Sequence, residues 1–584
     1  MPEWNLADLY RDMTAPEIAA DLARSAGEAK GMAADYRGKL GTLDADGLAR
    51  ALATYEKLQD TLGRLSSYAG LLYAADTADP DRGKFYGDMQ EKLTAITTDL
   101  LFFELELNQL DDARLDQLLK EPPLVRFAPW VVDLRKEKPY QLDDRIEQLF
   151  HEKSVTGRGA FNRLFNETMT ALRFDVGGEE LALEPTLNLL TDAKEPKRRE
   201  AAEALATVFK SNIRLFTLIT NTLAKDKEIA DRWRGFPSVS AARHLANRVE
   251  PEVVNALVAA VRESYGRTAH RYYAMKARWL GMEALSHWDR NAPLPDQPDR
   301  QMSWAEARQT VLSAYNSFSP RMSEIAETFF DKRWIDAPVR AGKAPGAFSH
   351  PTVPSAHPYV LLNYMGKPRD VMTLAHELGH GVHQVLANKQ GPLLAPTPLT
   401  LAETASVFGE MLTFKAMLAQ TRDARERKAM LAQKVEDMIN TVVRQIAFYC
   451  FEEKVHTARR HGELTADDLG RFWLEVQTES LGPSVKLREG YENFWAYIPH
   501  FIHSPFYVYA YAFGDCLVNS LYALYEKAHP GFVEKYFAML EAGGSKPYSD
   551  LLAPFGLDAS KPEFWRMGLS VIEGLIDEIA ALEG

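Results

Sequence analysis

The sequence predicts a mainly α fold, and three observations carry that prediction. Long windows hold apolar residues at helical spacing with no internal proline, proline clusters fall outside those windows, and strand-like stretches are few and short. The helical windows run over residues 200–224, 251–279 and 426–461. Glu121-Pro122-Pro123 and residues 392–398 read as punctuation. A short hairpin is predicted where Arg173-Phe174-Asp175-Val176 meets Gly177-Gly178 and then Leu181-Ala182-Leu183. Residues 346–364 form a second extended candidate, most β-prone over residues 358–364, either lining a cleft or lying inside a small sheet. A boundary after the hairpin divides the chain into a helical N-terminal region, 1–195, and a catalytic region, 196–584.

Composition narrows the function classes. The chain has 584 residues, 46% hydrophobic and 26% charged, enough apolar material for a large core. A formal net charge of -13 argues against nucleic acid as the main partner, since phosphate binding needs clustered Lys and Arg. Cys450 and Cys516 stand far apart and belong to no CxxC pair, so neither a disulfide framework nor a cysteine metal site is expected. No secretory signal is visible, and the expected location is the cytoplasm. Residues 493–514 contain no Asp, Glu, Lys or Arg, yet His500, His503, Pro499 and Pro505 make the stretch a buried or cleft-lining one and not a membrane span.

The chemistry-bearing motif follows the second extended stretch. His376-Glu377-Leu378-Gly379-His380 is an HExxH motif in a helical context, with Asp370 expected as N-cap and Val371, Leu374, Ala375, Leu378 and Val382 as the apolar stripe. Histidines four apart project from one face a turn apart and can grip one ion. Glu377, beside the first ligand, is placed to activate the attacking water. Gly379 and Gly381 each cost a helix interior about 1 kcal/mol relative to alanine, which points to a backbone, a substrate or a packed helix close by.

A third ligand has to come from elsewhere. His383 shares the face, but seven helical residues span about 10.5 Å, too far for His376 and His383 to meet one ion. It reads instead as a substrate or ligand-supporting contact, or as plain packing. Leu386 occupies the position where a metzincin carries its third histidine, so that class is excluded. Glu403 is the first acid after the motif, and an antiparallel return brings it beside the zinc helix. Its competing reading is the acid of a capping box that begins at Thr400. Glu410, seven residues on, is placed to orient a ligand histidine.

The aromatic run from His500 to Tyr511 offers further donors for a tetrahedral oxyanion. Tyr507, Tyr509 and Tyr511 alternate, so they share one side of a strand but fan over about 200 degrees on a helix. Taken alone, the run reads as core.

Four landmarks recur in order along the chain: Trp4-Asn5-Leu6-Ala7-Asp8-Leu9-Tyr10, the Gly366-Lys367-Pro368-Arg369-Asp370-Val371 approach to HExxH, Glu403-Thr404-Ala405-Ser406, and Ile498-Pro499-His500-Phe501 leading to Phe506-Tyr507-Val508-Tyr509-Ala510-Tyr511. With them the chain resembles the oligoendopeptidase F group of the thimet-oligopeptidase family of zinc metallopeptidases. The resemblance implies a mainly α, two-lobed protein with a deep substrate cleft and a small β-sheet beside the HExxH helix. It implies one Zn2+ held by His376, His380 and Glu403, with Glu377 as general base and short oligopeptides as substrates. The family's substrate-side histidine and tyrosine match His500 and Tyr509, with Tyr507 as a further candidate, and its substrate-pairing segment corresponds to residues 346–364. One position departs: related sequences often carry tyrosine where this chain has Ile502, and His503 follows it. A helical zinc carboxypeptidase and an inactive peptide-binding protein are the alternative readings; the complete His376, Glu377, His380 and Glu403 set argues against the second.

Overall fold

The computed structural model describes residues 1–295, 300–344 and 346–583, and these are mainly helical, as the sequence predicts. They form two compact units. The first comprises residues 1–139, 300–420 and 525–557; the second comprises 140–299, 421–524 and 558–584. This division differs from the expected cut at 195/196, which falls inside the second unit. Periodicity reports where a helix forms, not which distant helix it packs against, so an interleaved arrangement leaves no local mark.

The first unit is built around the motif. The 31-residue helix α1 (Ala45–Ala75) starts at Asp44, whose side chain accepts from Gly47 N. It buries Leu48, Leu52, Leu58, Leu62 and Leu65, one face of a 3.6-residue period. Helices α2 (Trp304–Phe318) and α3 (Pro320–Asp331) lead into a three-stranded sheet. In that sheet β1 (Ile335–Pro338) runs parallel to β3 (Tyr359–Tyr364), and β2 (Phe348–His350) pairs antiparallel on the other side of β3. The β-prone stretch at 358–364 is therefore the internal strand, with Tyr359 through Leu362 buried, and β2 is an edge.

The N-terminal landmark braces this sheet. Trp4 packs edge-on to Tyr359 at 5.9 Å, and the Tyr359 hydroxyl donates to the Asn5 carbonyl at 2.8 Å. After β3 comes the motif helix α4 (Pro368–Ala387), which packs most extensively on α5 (Ser406–Gln420) and also touches β2 and β3. Val371, Leu374, Leu378 and Val382 are fully buried, each stabilising the packing by roughly 1.5–3 kcal/mol.

The second unit contains the predicted hairpin. Phe174–Val176 pairs with Glu179–Leu181 through Gly177 and Gly178, both at positive φ, as a tight two-residue turn requires. Window 200–224 lies within a 40-residue helix, Glu195–Arg234, closed by left-handed Gly235. The other two windows each hold two helices. Pro251–Ser264 and Ala269–Trp279 part at a turn containing Gly266, and Ala424–Thr441 and Val443–Arg459 part at Val442. The uncharged run at 493–514 is also broken, into Pro499–His503, a turn, and a helix beginning at Tyr509. Among the described residues, no helix is long and apolar enough to cross a membrane.

Candidate active site

Pro368 opens α4 one turn earlier than the sequence reading places it, because proline's fixed φ suits the first helical position. Asp370 is thus the third helical residue and not the N-cap. Its carboxylate reaches back to accept from Lys367 N at 3.0 Å and Met365 N at 2.9 Å. Those bonds satisfy amides at the helix mouth and fix the rotation of the two histidines about two and three turns further on.

His376 and His380 stand with ring centroids 4.9 Å apart and planes at 81°. The Nε2 of each lies 3.4 Å from Oε2 of Glu403. Two ligands of a tetrahedral ion at about 2.05 Å from each are separated by about 3.3 Å, so this spacing fits one metal ion. Two imidazole nitrogens and one carboxylate oxygen form the donor set of a catalytic zinc site that keeps a position open. All three side chains are half-buried. Behind His376, its Nδ1 lies 3.1 Å from Oε2 of Glu410. A carboxylate there fixes the tautomer that leaves Nε2 free to ligate.

Glu403 arrives by close packing. It follows the one-turn helix Leu399–Ala402, and the competing reading, a capping box from Thr400, is not realised: Ser406 Oγ donates to Glu403 Oε2 at 2.6 Å instead. A Cβ on Gly379 would come within 2.3 Å of the Ala405 carbonyl oxygen, so glycine is what lets the 403–406 turn lie against the motif helix. Gly381 faces the Phe329 ring, 2.5 Å from a would-be Cβ. Both glycines thus serve packing, the first of them directly beneath a ligand. His383 is buried, its Nε2 3.4 Å from Thr397 Oγ1. It braces the segment leading into Glu403 and is not a ligand.

The charges are interlocked. Burial pushes Glu403 up, but His380, His376 and the Ser406 hydroxyl outweigh it and hold the carboxyl below its usual range. Burial alone would lower His376, yet the Glu410 hydrogen bond with the charges of Glu403, Glu410 and Glu377 raises it to about 9. Burial carries Glu377 up to about 7, against the pull of His376 and the Ser349 backbone N–H. A buried carboxyl titrating near neutrality is suited to move protons in both directions.

The His500–Tyr511 run lies in the second unit as helix, turn and helix. Tyr507 and Tyr511, four apart, meet His500: Tyr511 OH is 3.2 Å from His500 Nε2, and the Tyr507 ring lies 6.4 Å from the imidazole. Tyr509 turns the other way. It is fully buried, its hydroxyl accepting from Asn247 Nδ2 at 2.8 Å and lying 3.2 Å from His244 Nδ1. Residues 504–508 form a turn and the helix starts only at Tyr509, so no strand aligns the three tyrosines, and Tyr509 faces away from the other two. Ile502 is buried, and His503 Nε2 lies 2.8 Å from Asn166 Oδ1.

Comparison with known proteins decides the class. The family model described as "Peptidase family M3" matches residues 188–571, more than half of the chain. The chain belongs to peptidase family M3. An N-terminal model, "Oligopeptidase F", matches residues 106–174. Oligopeptidase PepF of Bacillus subtilis is 27% identical over 561 residues, covering 94% of this chain and 82% of that protein. The oligoendopeptidase F homolog of Borreliella burgdorferi is 26% identical, covering 92% and 91%. The crystal structure of oligoendopeptidase-F from Enterococcus faecium shares the fold, with a TM-score of 0.72, 22% identity, and 97% and 99% of the two chains covered.

Membership of family M3 makes the chain a metallopeptidase of the oligopeptidase F kind and implies a catalytic metal, for which His376, His380 and Glu403 are the candidate holders. The sequence carries no mark of the Ser406 hydroxyl on Glu403 or of the Glu452 carboxyl beneath the aromatic run; the meeting of Tyr511 with His500 has one signal, the four-residue spacing of Tyr507 and Tyr511.

Proposed function

We propose that this family M3 member is a zinc-dependent endopeptidase that hydrolyses internal bonds of short oligopeptides, with one Zn2+ held by His376, His380 and Glu403. The observation that carries this reading is the convergence of three donor atoms, with Glu403 Oε2 3.4 Å from both Nε2 atoms and Glu410 behind His376. Zinc bound there supplies Lewis-acid polarisation of the scissile carbonyl and acidifies water. Glu377, next to the first ligand and buried, takes the proton from the attacking water and passes it to the leaving amine.

His500, Tyr507 and Tyr511 are the group proposed to donate to the oxyanion as it forms. Tyr511 replaces Tyr509 in this role, because the Tyr509 hydroxyl is already engaged and its side chain is inaccessible, whereas Tyr511 is 38% exposed. The net charge of -13 supports a partner other than nucleic acid, and two free cysteines support a reducing, cytoplasmic setting.

An internally quenched peptide blocked at both ends tests the reading. Cleavage that a chelator abolishes and added zinc restores is the expected result. Failure to cut the blocked peptide, with cutting of the free-ended one, would mean an exopeptidase.

A further inference from the structure

The turn between Pro499–His503 and the helix from Tyr509 is under strain. Phe506 has φ 62°, a left-handed conformation that bulky side chains rarely adopt. Such a conformation persists only where the surroundings over-determine it. Here three different helices reach the backbone of the turn. Glu452, on Val443–Arg459, accepts from Phe506 N at 2.8 Å; Arg243, on Ala241–Ala246, donates from Nε to the Pro505 carbonyl at 3.1 Å; and Arg158, on Arg158–Ala171, donates to the His503 carbonyl. The Phe506 ring is fully buried, 4.9 Å from His456 and 5.8 Å from Tyr449.

Glu452 stands out among these anchors. Only one of its oxygens is used; Oε2 is buried with no hydrogen-bond partner among the described residues, beside a cavity of about 30 Å³ bordered by Phe501, Ile502, Pro505 and His456. A half-satisfied buried carboxyl is expensive, and the other oxygen is spent on the one strained amide. Burial pushes Glu452 up to about 8 against the Phe506 N–H and the positive charges of Arg243 and Lys227, so a neutral acceptor suffices there. Arg243 is doubly used, since its guanidinium also lies 5.7 Å over the Tyr507 ring.

We propose that Glu452 and Arg243 are positioning residues that lock the 504–507 turn and so hold Tyr507 and Tyr511 beside His500. The proposal rests on the reading that this trio contacts the peptide. Neither residue touches substrate; each acts through the turn. A displaced donor to a developing oxyanion lowers kcat while leaving ground-state binding, and hence KM, little changed.

The test compares Glu452→Gln, Glu452→Leu and Arg243→Leu in the full-length protein, each also combined with Tyr511→Phe. Readouts are kcat and KM on a quenched peptide, zinc content and melting temperature. Glu452→Gln, whose amide oxygen can accept from Phe506 N, is expected to stay within about twofold of wild type, while Glu452→Leu and Arg243→Leu lose about tenfold or more in kcat at unchanged KM and zinc content. Adding Tyr511→Phe to either Leu variant is expected to cost little more, because coupled groups are not additive. A lower melting temperature with kcat intact, or fully additive losses, would overturn the positioning role. Unchanged kcat in His500→Ala and Tyr511→Phe would instead remove the underlying reading, and this proposal with it. Should Glu452→Leu not fold, Arg243→Leu and its combination with Tyr511→Phe decide the matter alone.

Discussion

Glu377 and Glu403 are both carboxylates within one small site, yet their surroundings separate them. Glu403 faces two imidazoles and the Ser406 hydroxyl, which keep it ionised and suited to a cation. Glu377 is buried with fewer compensating partners, and its carboxyl rises to about 7. That contrast is what a ligand and a proton carrier require of the same residue type. Glu377→Gln should therefore keep the metal and the fold while kcat falls by about 10²–10⁴-fold, measured as turnover beside zinc content on one preparation. HExxH was legible in the sequence because its spacing is itself the chemistry. The surroundings of Tyr509, the tyrosine the resemblance points to, were not legible, because alternation of aromatics does not distinguish a strand from a turn and helix and does not reveal the contacts with Asn247 and His244.

At the scale of elements, the motif helix and the turn that brings Glu403 are one device. Gly379 sits where the Ala405 backbone touches α4, so the third donor is positioned by contact between two backbones. Gly379→Ala should push the 403–406 turn away and weaken zinc binding by about 10–100-fold, the scale seen when supporting groups of metal ligands are lost. A competition titration with a zinc chelator measures it; wild-type affinity would show that the turn can yield without cost. The sequence pointed to a close approach at Gly379 but could not say which segment approached, since that partner lies a loop and a short helix away.

The helix Val443–Arg459 carries a second element-scale consequence. The Glu452 carboxyl titrates at about 8 when folded and in the ordinary carboxylate range when unfolded, so between those values the folded state binds the extra proton. Stability from this group is complete below the unfolded value and declines as pH rises towards 8. Glu452→Gln should therefore lose melting temperature less steeply than wild type from pH 5 to 8.5. Parallel curves for the two proteins would show that Glu452 ionises freely in the fold.

Across the whole molecule, the chain threads two units in alternation, and the first, drawn from residues 1–139, 300–420 and 525–557, holds His376, His380 and Glu403. The mainly α class, the hairpin at 174–181 and an extended segment over 359–364 were legible, because each is written in local spacing and turn residues, whereas the internal place of that strand in its sheet was one of two open readings. The interleaving was not legible, because pairing between distant helices depends on surface fit that single-residue patterns do not encode. Nor was the strained Phe506 turn, held by side chains 54 to 345 residues away in sequence.

The three-donor site is the claim on which the functional reading stands. Zinc content per chain, measured with cleavage of the doubly blocked peptide in wild type and in Glu403→Ala, tests it most directly. About one zinc per wild-type chain, lost together with cleavage in the variant, is the predicted result. A Glu403→Ala protein that keeps both its zinc and its turnover would contradict it.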